Sequence, residues 1–296
     1  MTNRRSFIKH AALAPLAWSV RDFPSGDAIV RDPANIRIGL VTYQWAKDWD
    51  LPDIIRNCTK SQVLGVELRV EHKHGVDTHF TSRQREEVKR QFKDSAVTLV
   101  GFGSNVHFDS PDPELLRLNI MRAKTLLALD HDIGGSGVKV KPNGFHKGIA
   151  HEKTIEQIGK ALNEIGKLAG DLGQQLRLEV HGNETQELPN IRAILDVADN
   201  PNVAICWNCN PTDLDGKGFE YNFNLVKDRL GDTMHIHELD AGNYPYKKLM
   251  TGLIKMDYKG WLLLECSATD PADKVTAMAT QRRTALEMLS ALRKEG

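Results

Sequence analysis

This chain of 296 residues is short of cysteine, of aromatic side chains and of any surplus of one charge. Four cysteines, widely spread except for one close pair, do not make a disulfide framework. Lys+Arg and Asp+Glu both number 39, so the formal net charge is zero. That balance speaks against a long nucleic-acid groove, which leaves a basic excess. No apolar run approaches the roughly 20 residues that a membrane-crossing helix requires. The first apolar segment is followed by Thr42-Tyr43-Gln44-Trp45 rather than by a glycine-rich phosphate turn, which disfavours a dinucleotide-binding open sheet. No Gly-x-Ser-x-Gly elbow is present, so a serine hydrolase has no support. No low-complexity segment or linker rich in Pro, Gly or Ser divides the body. What remains is 41% hydrophobic and 26% charged residues, a globular profile with enough apolar material for one large core.

The N-terminus reads Asn3-Arg4-Arg5-Ser6-Phe7-Ile8-Lys9, followed by a mild apolar stretch from Ala11 to Val20. This looks like a twin-arginine export signal, and such a leader is excluded from fold reasoning. Residues 1–32 are therefore read as leader and 33–296 as a single domain. The expected location is periplasmic or otherwise exported.

From about Asn35 onward, short apolar runs alternate with longer amphipathic ones. Strands are expected at Ile36–Thr42, Gly65–Val70, Val97–Ser104, Gly137–Lys141, Leu176–His181, Val203–Asn208, Thr233–Glu238 and Trp261–Cys266. Helical periodicity marks Ser82–Lys93, Pro113–Leu129, Thr154–Leu172 and Ala272–Lys294, and more weakly Tyr221–Leu230 and Tyr246–Met256. Eight strand–helix units predict an α/β fold, a single closed (β/α)8 barrel.

The polar residues gather where these strands end. In Leu176-Arg177-Leu178-Glu179-Val180-His181 the two-residue period puts Arg177, Glu179 and His181 on one face. The leucines belong under the helices, so Glu179 and His181 point into the barrel near its rim. Glu265 ends the eighth strand after three leucines. His235 and His237 share a face of the seventh, and Glu67 and Arg69 share a face of the second. Barrel enzymes draw their chemistry from such positions. Buried carboxylates also need partners, and a divalent cation would satisfy two of them together with an imidazole. A buried ion-pair network, for instance Arg177 with Glu179, is the plainer reading.

These pieces resemble the xylose isomerase-like barrels, the superfamily of sugar phosphate isomerases and epimerases. They are Gly65-Val66-Glu67-Leu68-Arg69, Leu178-Glu179-Val180-His181, Cys206-Trp207-Asn208, His235-Ile236-His237-Glu238-Leu239-Asp240 and Leu263-Leu264-Glu265. The resemblance implies metal ligands at Glu179, Asn208, His237 and Glu265. His237 is preferred to His235 because the family's ligand histidine precedes an acid by three residues, here Asp240, and His235 then lies deeper as a packing group. Position 208 departs from the pattern, being Asn where the family has Asp. Two formal negative charges rather than three would surround the ion, weakening its binding and leaving it more polarising. Asn210 is the substitute if the sixth strand ends later. Mn²⁺, Co²⁺, Mg²⁺ and Zn²⁺ all suit one imidazole with oxygen ligands.

The resemblance further implies a sugar isomerase or epimerase working through an enediolate, with Glu179 and Glu265 shuttling protons. His181, Lys139, Lys141 and Asn210, and more distantly Glu67 and His107, are candidate contacts to the carbohydrate. Export points to a free sugar or keto-sugar, not a phosphorylated one. Two alternatives stand beside this: a metal-dependent lyase or hydratase eliminating from 3-keto glycosides, and an exported barrel that binds sugar without turning it over. The spacing Cys206-Trp207-Asn208-Cys209 matches a redox pair, but it overlies a strand end, and buried thiols are expected, as at Cys58 and Cys266. No nucleic-acid partner is expected. Cell fractionation is expected to find the protein outside the cytoplasm with a shortened N-terminus; an intact cytoplasmic chain would remove the export reading.

Overall fold

A computed structural model describes residues 36–295, and the leader assigned to residues 1–32 lies outside them. Eight parallel strands close into a barrel in chain order: β1 (Arg37–Val41), β2 (Gly65–Arg69), β3 (Thr98–His107), β4 (Gly137–Lys141), β5 (Gln175–Glu179), β6 (Val203–Trp207), β7 (Leu230–Ile236) and β8 (Trp261–Leu264). The last strand returns to the first, with Arg37 opposite Trp261 and Leu40 opposite Leu264. Eight α-helices follow the strands: α1 (Leu51–Ser61), α2 (Ser82–Lys93), α3 (Pro113–Ile133), α4 (His151–Asp171), α5 (Leu188–Val197), α6 (Phe219–Val226), α7 (Tyr246–Lys255) and α8 (Lys274–Glu295). The expected (β/α)8 architecture is the observed one. Among the described residues no helix is long and apolar enough to cross a membrane.

The helices begin where capping chemistry tells them to. Asp50 accepts from the Asp53 amide ahead of α1, Thr81 and Gln84 form a capping box on α2, and Asp112 accepts from the Glu114 amide before α3. The sequence reading missed α1 and α5. Neither segment has strong helix formers throughout, but Leu51, Ile54 and Cys58 on one and Leu188, Ile191 and Ile194 on the other are buried at helical steps. Strand β7 starts at Leu230, three residues before the expected Thr233, and stops at Ile236.

Side-chain alternation divides the core. Leu176, Leu178, Leu262 and Leu264 face outward into the large apolar layer beneath the helices. A smaller apolar set, Val41, Val100, Trp261 and Leu263, packs separately. Arg177 takes no part in an ion pair with Glu179. Its guanidinium donates to the Val100 carbonyl and to the carbonyl and hydroxyl of Ser136. Trp261, Leu263 and Glu265 alternate with the outward leucines, so β8 brings its carboxylate into the interior at the C-terminal end. The four cysteines are free and buried. Burial pushes the Cys58 thiol up to about 12 and Cys209 well above its ordinary value, so neither supplies a thiolate nucleophile.

Asp130, in the last turns of α3, is wholly buried. Its carboxyl accepts from the Gly137 amide at 2.8 Å and from Gln174 Nε2 at 2.7 Å. Burial nevertheless raises its pKa from 3.8 to about 8. The unfolded chain releases this proton near the lower value while the folded chain keeps it to the higher. Stability from this group is therefore full at acid pH and declines as pH rises between the two. Asp130→Asn is expected to flatten the decline in melting temperature between about pH 4 and pH 8. An unchanged slope in thermal denaturation across that range would show that the acid contributes nothing to it.

Candidate functional site

A cavity of about 440 Å³ opens at the C-terminal end of the barrel. Tyr43, Arg69, Lys141, Glu179, His181, Asn208, Asn210, His237 and Glu265 all contribute to its wall. A larger groove of about 630 Å³ lies outside, between α6 and α7, walled by Phe219, Phe223 and lysine stems. Its two carboxylates are exposed, Glu220 paired with Lys248 and Asp228 with Arg192, and no imidazole lines it, so the chemistry belongs to the barrel mouth.

Below the cavity is a network of buried charges. Lys139 Nζ donates to Glu179 Oε2 at 2.7 Å and to the Ser104 carbonyl at 3.3 Å. His235 stands between three carboxylates. Its Nε2 is 3.1 Å from Glu67 Oε1, and its Nδ1 is 3.2 Å from both Glu179 Oε1 and Glu265 Oε2. Lys141 Nζ lies 3.9 Å from Glu179 Oε2 and 3.5 Å from His181 Nε2. Room for Glu67 depends on a glycine: a Cβ on Gly103 would sit 2.5 Å from Glu67 Oε1. A second glycine, Gly182, holds φ +99° beside the cavity, where a Cβ would strike the Asn143 carbonyl oxygen at 1.9 Å.

Each charge is set by its neighbours. Burial opposes ionisation of Glu179, but Lys139, His235 and Lys141 outweigh it and hold its pKa well below the carboxylate range. Glu265 is lowered too, against burial, chiefly by His235. Burial disfavours a charge on His235, yet Cys206, Glu265 and Glu67 lift its pKa well above the usual value. Lys139 is raised, with Glu179, Glu265 and Glu67 overcoming its burial. Both glutamates that face the cavity are thus carboxylates. Four buried polar atoms have no hydrogen-bond partner here: Arg69 Nε, Glu67 Oε2, His181 Nδ1 and Asn208 Oδ1. Native interiors satisfy such groups, so a cluster of them around an open cavity has capacity for a ligand, an ion or water.

The structure brings Glu179 and Glu265 together and adds an imidazole, but that imidazole is His235 where His237 was expected. Glu179, His235 and Glu265 each offer a ligand atom within 4.8 Å of the others. His237 and Asn208 lie outside that group, although both line the same cavity. His237 follows the end of β7, with Nδ1 3.3 Å from the Glu265 carbonyl oxygen. His235 is fully buried, opposite Leu263 of β8, which lowers it to the level of the carboxylates. Asn210 lines the cavity, but its Nδ2 is spent on the Val180 carbonyl. Lys139 and Glu67, expected as substrate contacts, are fully buried and belong to the floor. His107 is on the rim, held by Asp109, which also receives His146. It does not line the cavity. Lys141 and His181 do. Tyr43 was not singled out from sequence, and Arg69 was placed on its strand face without being named a site residue. For Arg69 the signal was available, since it shares its strand face with Glu67.

Residues 55–292 match the family model described as xylose isomerase-like TIM barrel. No curated protein sequence matches the chain. Among solved structures, an L-ribulose 3-epimerase superposes with TM-score 0.74 at 15% identity, covering 88% of this chain and 96% of that one. The 3-keto-D-glucoside 4-epimerase YcjR from E. coli gives 0.67 at 16% identity, covering 88% and 99%. The IOLI protein with a bound zinc atom gives 0.72 at 13% identity, covering 87% and 99%. At these identities the likeness is one of fold.

Lys139→Met is expected to destabilise the protein by about 3–5 kcal/mol, because it leaves the Glu179 carboxylate buried without its main partner. The double substitution Lys139→Met with Glu179→Gln is expected to recover part of that loss. Urea denaturation of the four proteins of this cycle measures the coupling, and additive losses would show that the pair is not an energetic unit.

Proposed function

Because the chain belongs to the xylose isomerase-like TIM barrel family, we propose that it is a sugar isomerase or epimerase using a divalent cation held by Glu179, His235 and Glu265. The observation that carries this reading is the pair of ionised carboxylates facing one cavity, with an imidazole whose Nδ1 is 3.2 Å from an oxygen of each. The donor set suits a cation: two carboxylates, one imidazole and, in the cavity wall, the unpartnered carbonyl oxygen of Asn208. When bound, such an ion supplies Lewis-acid stabilisation of negative charge developing on substrate oxygens.

The remaining chemistry is that of the side chains. Glu179, kept ionised by Lys139, serves as base toward the carbon beside a carbonyl, and Glu265 exchanges the proton on the opposite side. Glu67 holds His235 at Nε2 and so fixes which ring nitrogen faces the two carboxylates. His181, Lys141 and Asn210 orient hydroxyl groups of the sugar from the cavity wall. The names of the structural relatives, a ribulose 3-epimerase and a 3-keto-glucoside 4-epimerase, support this class of reaction. A second outcome, loss of a leaving group from the β carbon, would follow proton abstraction beside a ketone by the same two carboxylates. The arginine pair at residues 4 and 5 supports an exported enzyme acting on an unphosphorylated sugar.

Incubation with candidate ketoses and 3-keto glycosides in D₂O is expected to return an isomeric sugar deuterated at the exchanged carbon. An unsaturated product with released aglycone would move the protein to the lyases. Glu179→Gln and Glu265→Gln are each expected to lower turnover by about 10²–10⁴-fold. Metal analysis of purified His235→Ala is expected to show the ion lost, and that of His237→Ala to show it kept; the reverse pattern would transfer the ligand role to His237.

A further inference from the structure

Few large apolar side chains are exposed on this barrel, and half of them stand on one helix. Six are exposed among the described residues, and Leu115, Leu118 and Met121, at 42%, 41% and 49%, belong to α3. Their three-residue steps place them in one stripe along its outer face, about 9 Å long at roughly 1.5 Å per residue. The inner face of α3 is apolar as well, with Ala123, Leu126 and Leu127 buried. A surface helix ordinarily has one apolar face. Helix α2 is the ordinary case: it buries Val88 and Phe92 and presents arginine, glutamate and lysine to water.

The charges beside the stripe have an order. Glu114 lies at its N-terminal end and Arg122 at its C-terminal end. Within the chain Glu114 pairs with Arg117 at 2.6 Å and Arg122 with Glu71 at 2.8 Å, all four being exposed, so each pair contributes little by itself. Two copies of α3 laid antiparallel about a two-fold axis at Leu118 bring Leu118 against its own copy. The same register brings Leu115 against Met121 and Glu114 against Arg122. Other registers pair like with like. Parallel helices set Glu114 against Glu114, and an antiparallel pair moved to match Leu118 with Met121 sets Arg117 against Arg122. The stripe is thus complementary to itself in one arrangement, which is what a two-fold contact demands.

We propose that the outer face of α3 is the contact surface of a homodimer, the helices antiparallel and crossing at Leu118. Three part-exposed side chains offer less than the roughly 800 Å² per partner that a stable interface buries, so the dimer forms and separates with concentration. The contact adjoins the open end of the barrel, because Asn119 Nδ2 donates to the His107 carbonyl at 2.8 Å and Arg122 reaches Glu71 just beyond β2.

Sedimentation velocity of the full chain between about 1 and 500 μM is expected to show a monomer passing into a dimer. Leu118→Glu is expected to weaken the dimer by about tenfold or more. Glu114→Arg is expected to weaken it as well, and Glu114→Arg combined with Arg122→Glu to restore most of the loss. The native cysteines are all buried, so Leu118→Cys introduces the one accessible thiol among the described residues. On the axis it is expected to cross-link to its own copy under mild oxidation, whereas Thr125→Cys, about 20 Å from its own copy in this arrangement, is expected to stay reduced. Melting curves establish that these surface variants are folded. A monomer at every concentration gives the face to some other partner and overturns the proposal. A dimer indifferent to Leu118→Glu, or equal cross-linking at positions 118 and 125, overturns it too. None of these readouts involves turnover of a sugar, so the isomerase reading stands or falls separately.

Discussion

Everything at the mouth of this barrel depends on the buried ammonium of Lys139 against the Glu179 carboxylate. Neither charge has access to water, and each would be costly alone. Together, and with His235 shared among three carboxylates, they allow ionised groups to persist where a barrel interior normally holds branched aliphatic side chains. The apolar set of Val41, Val100, Trp261 and Leu263 shows what the rest of the interior looks like. On β8 the two-residue alternation passes from Trp261 and Leu263 to Glu265 within one step, and β2, β4, β5 and β7 bring Glu67, Lys139, Glu179 and His235 to meet it. The elements agree on where the conversion occurs, although no two of the contributing residues are close in sequence.

That agreement is why the fold was legible. Eight apolar runs ending in polar residues have few explanations other than a closed parallel barrel, and Glu179 and Glu265 followed from the period of their strands. Face can be read from sequence, but height cannot. His235 and His237 have the same parity, and the choice between them rests on how far β7 is shifted against β8. Contacts from the opposite strand fix that shift, with Met234 opposite Leu262 and His235 opposite Leu263. The family pattern pointed to His237, whereas the geometry puts His235 level with the carboxylates.

A similar limit applies to the charges. The plainer alternative offered by the sequence was an ion pair between Arg177 and Glu179, neighbours on one strand face. They are a full pleat apart, and Arg177 satisfies backbone carbonyls from β3 and from Ser136 before β4 instead. The lysine from β4 and the histidine from β7 came into the network only through the closed topology. Helices α1 and α5 escaped notice for a different reason. Their intrinsic propensities are modest, and burial of one stripe against the barrel wall provides the stability that local sequence does not.

Gly103 holds these relationships together. Its missing side chain is the space in which the Glu67 carboxylate rests, and that carboxylate in turn steadies the imidazole between the two remaining acids. A methyl group on β3 would displace that carboxylate, and with it the support of a ring two strands beyond the closure. Positions 67, 103 and 235 therefore form one packed unit, in which the smallest residue sets the place of the acid and the acid sets the place of the ring.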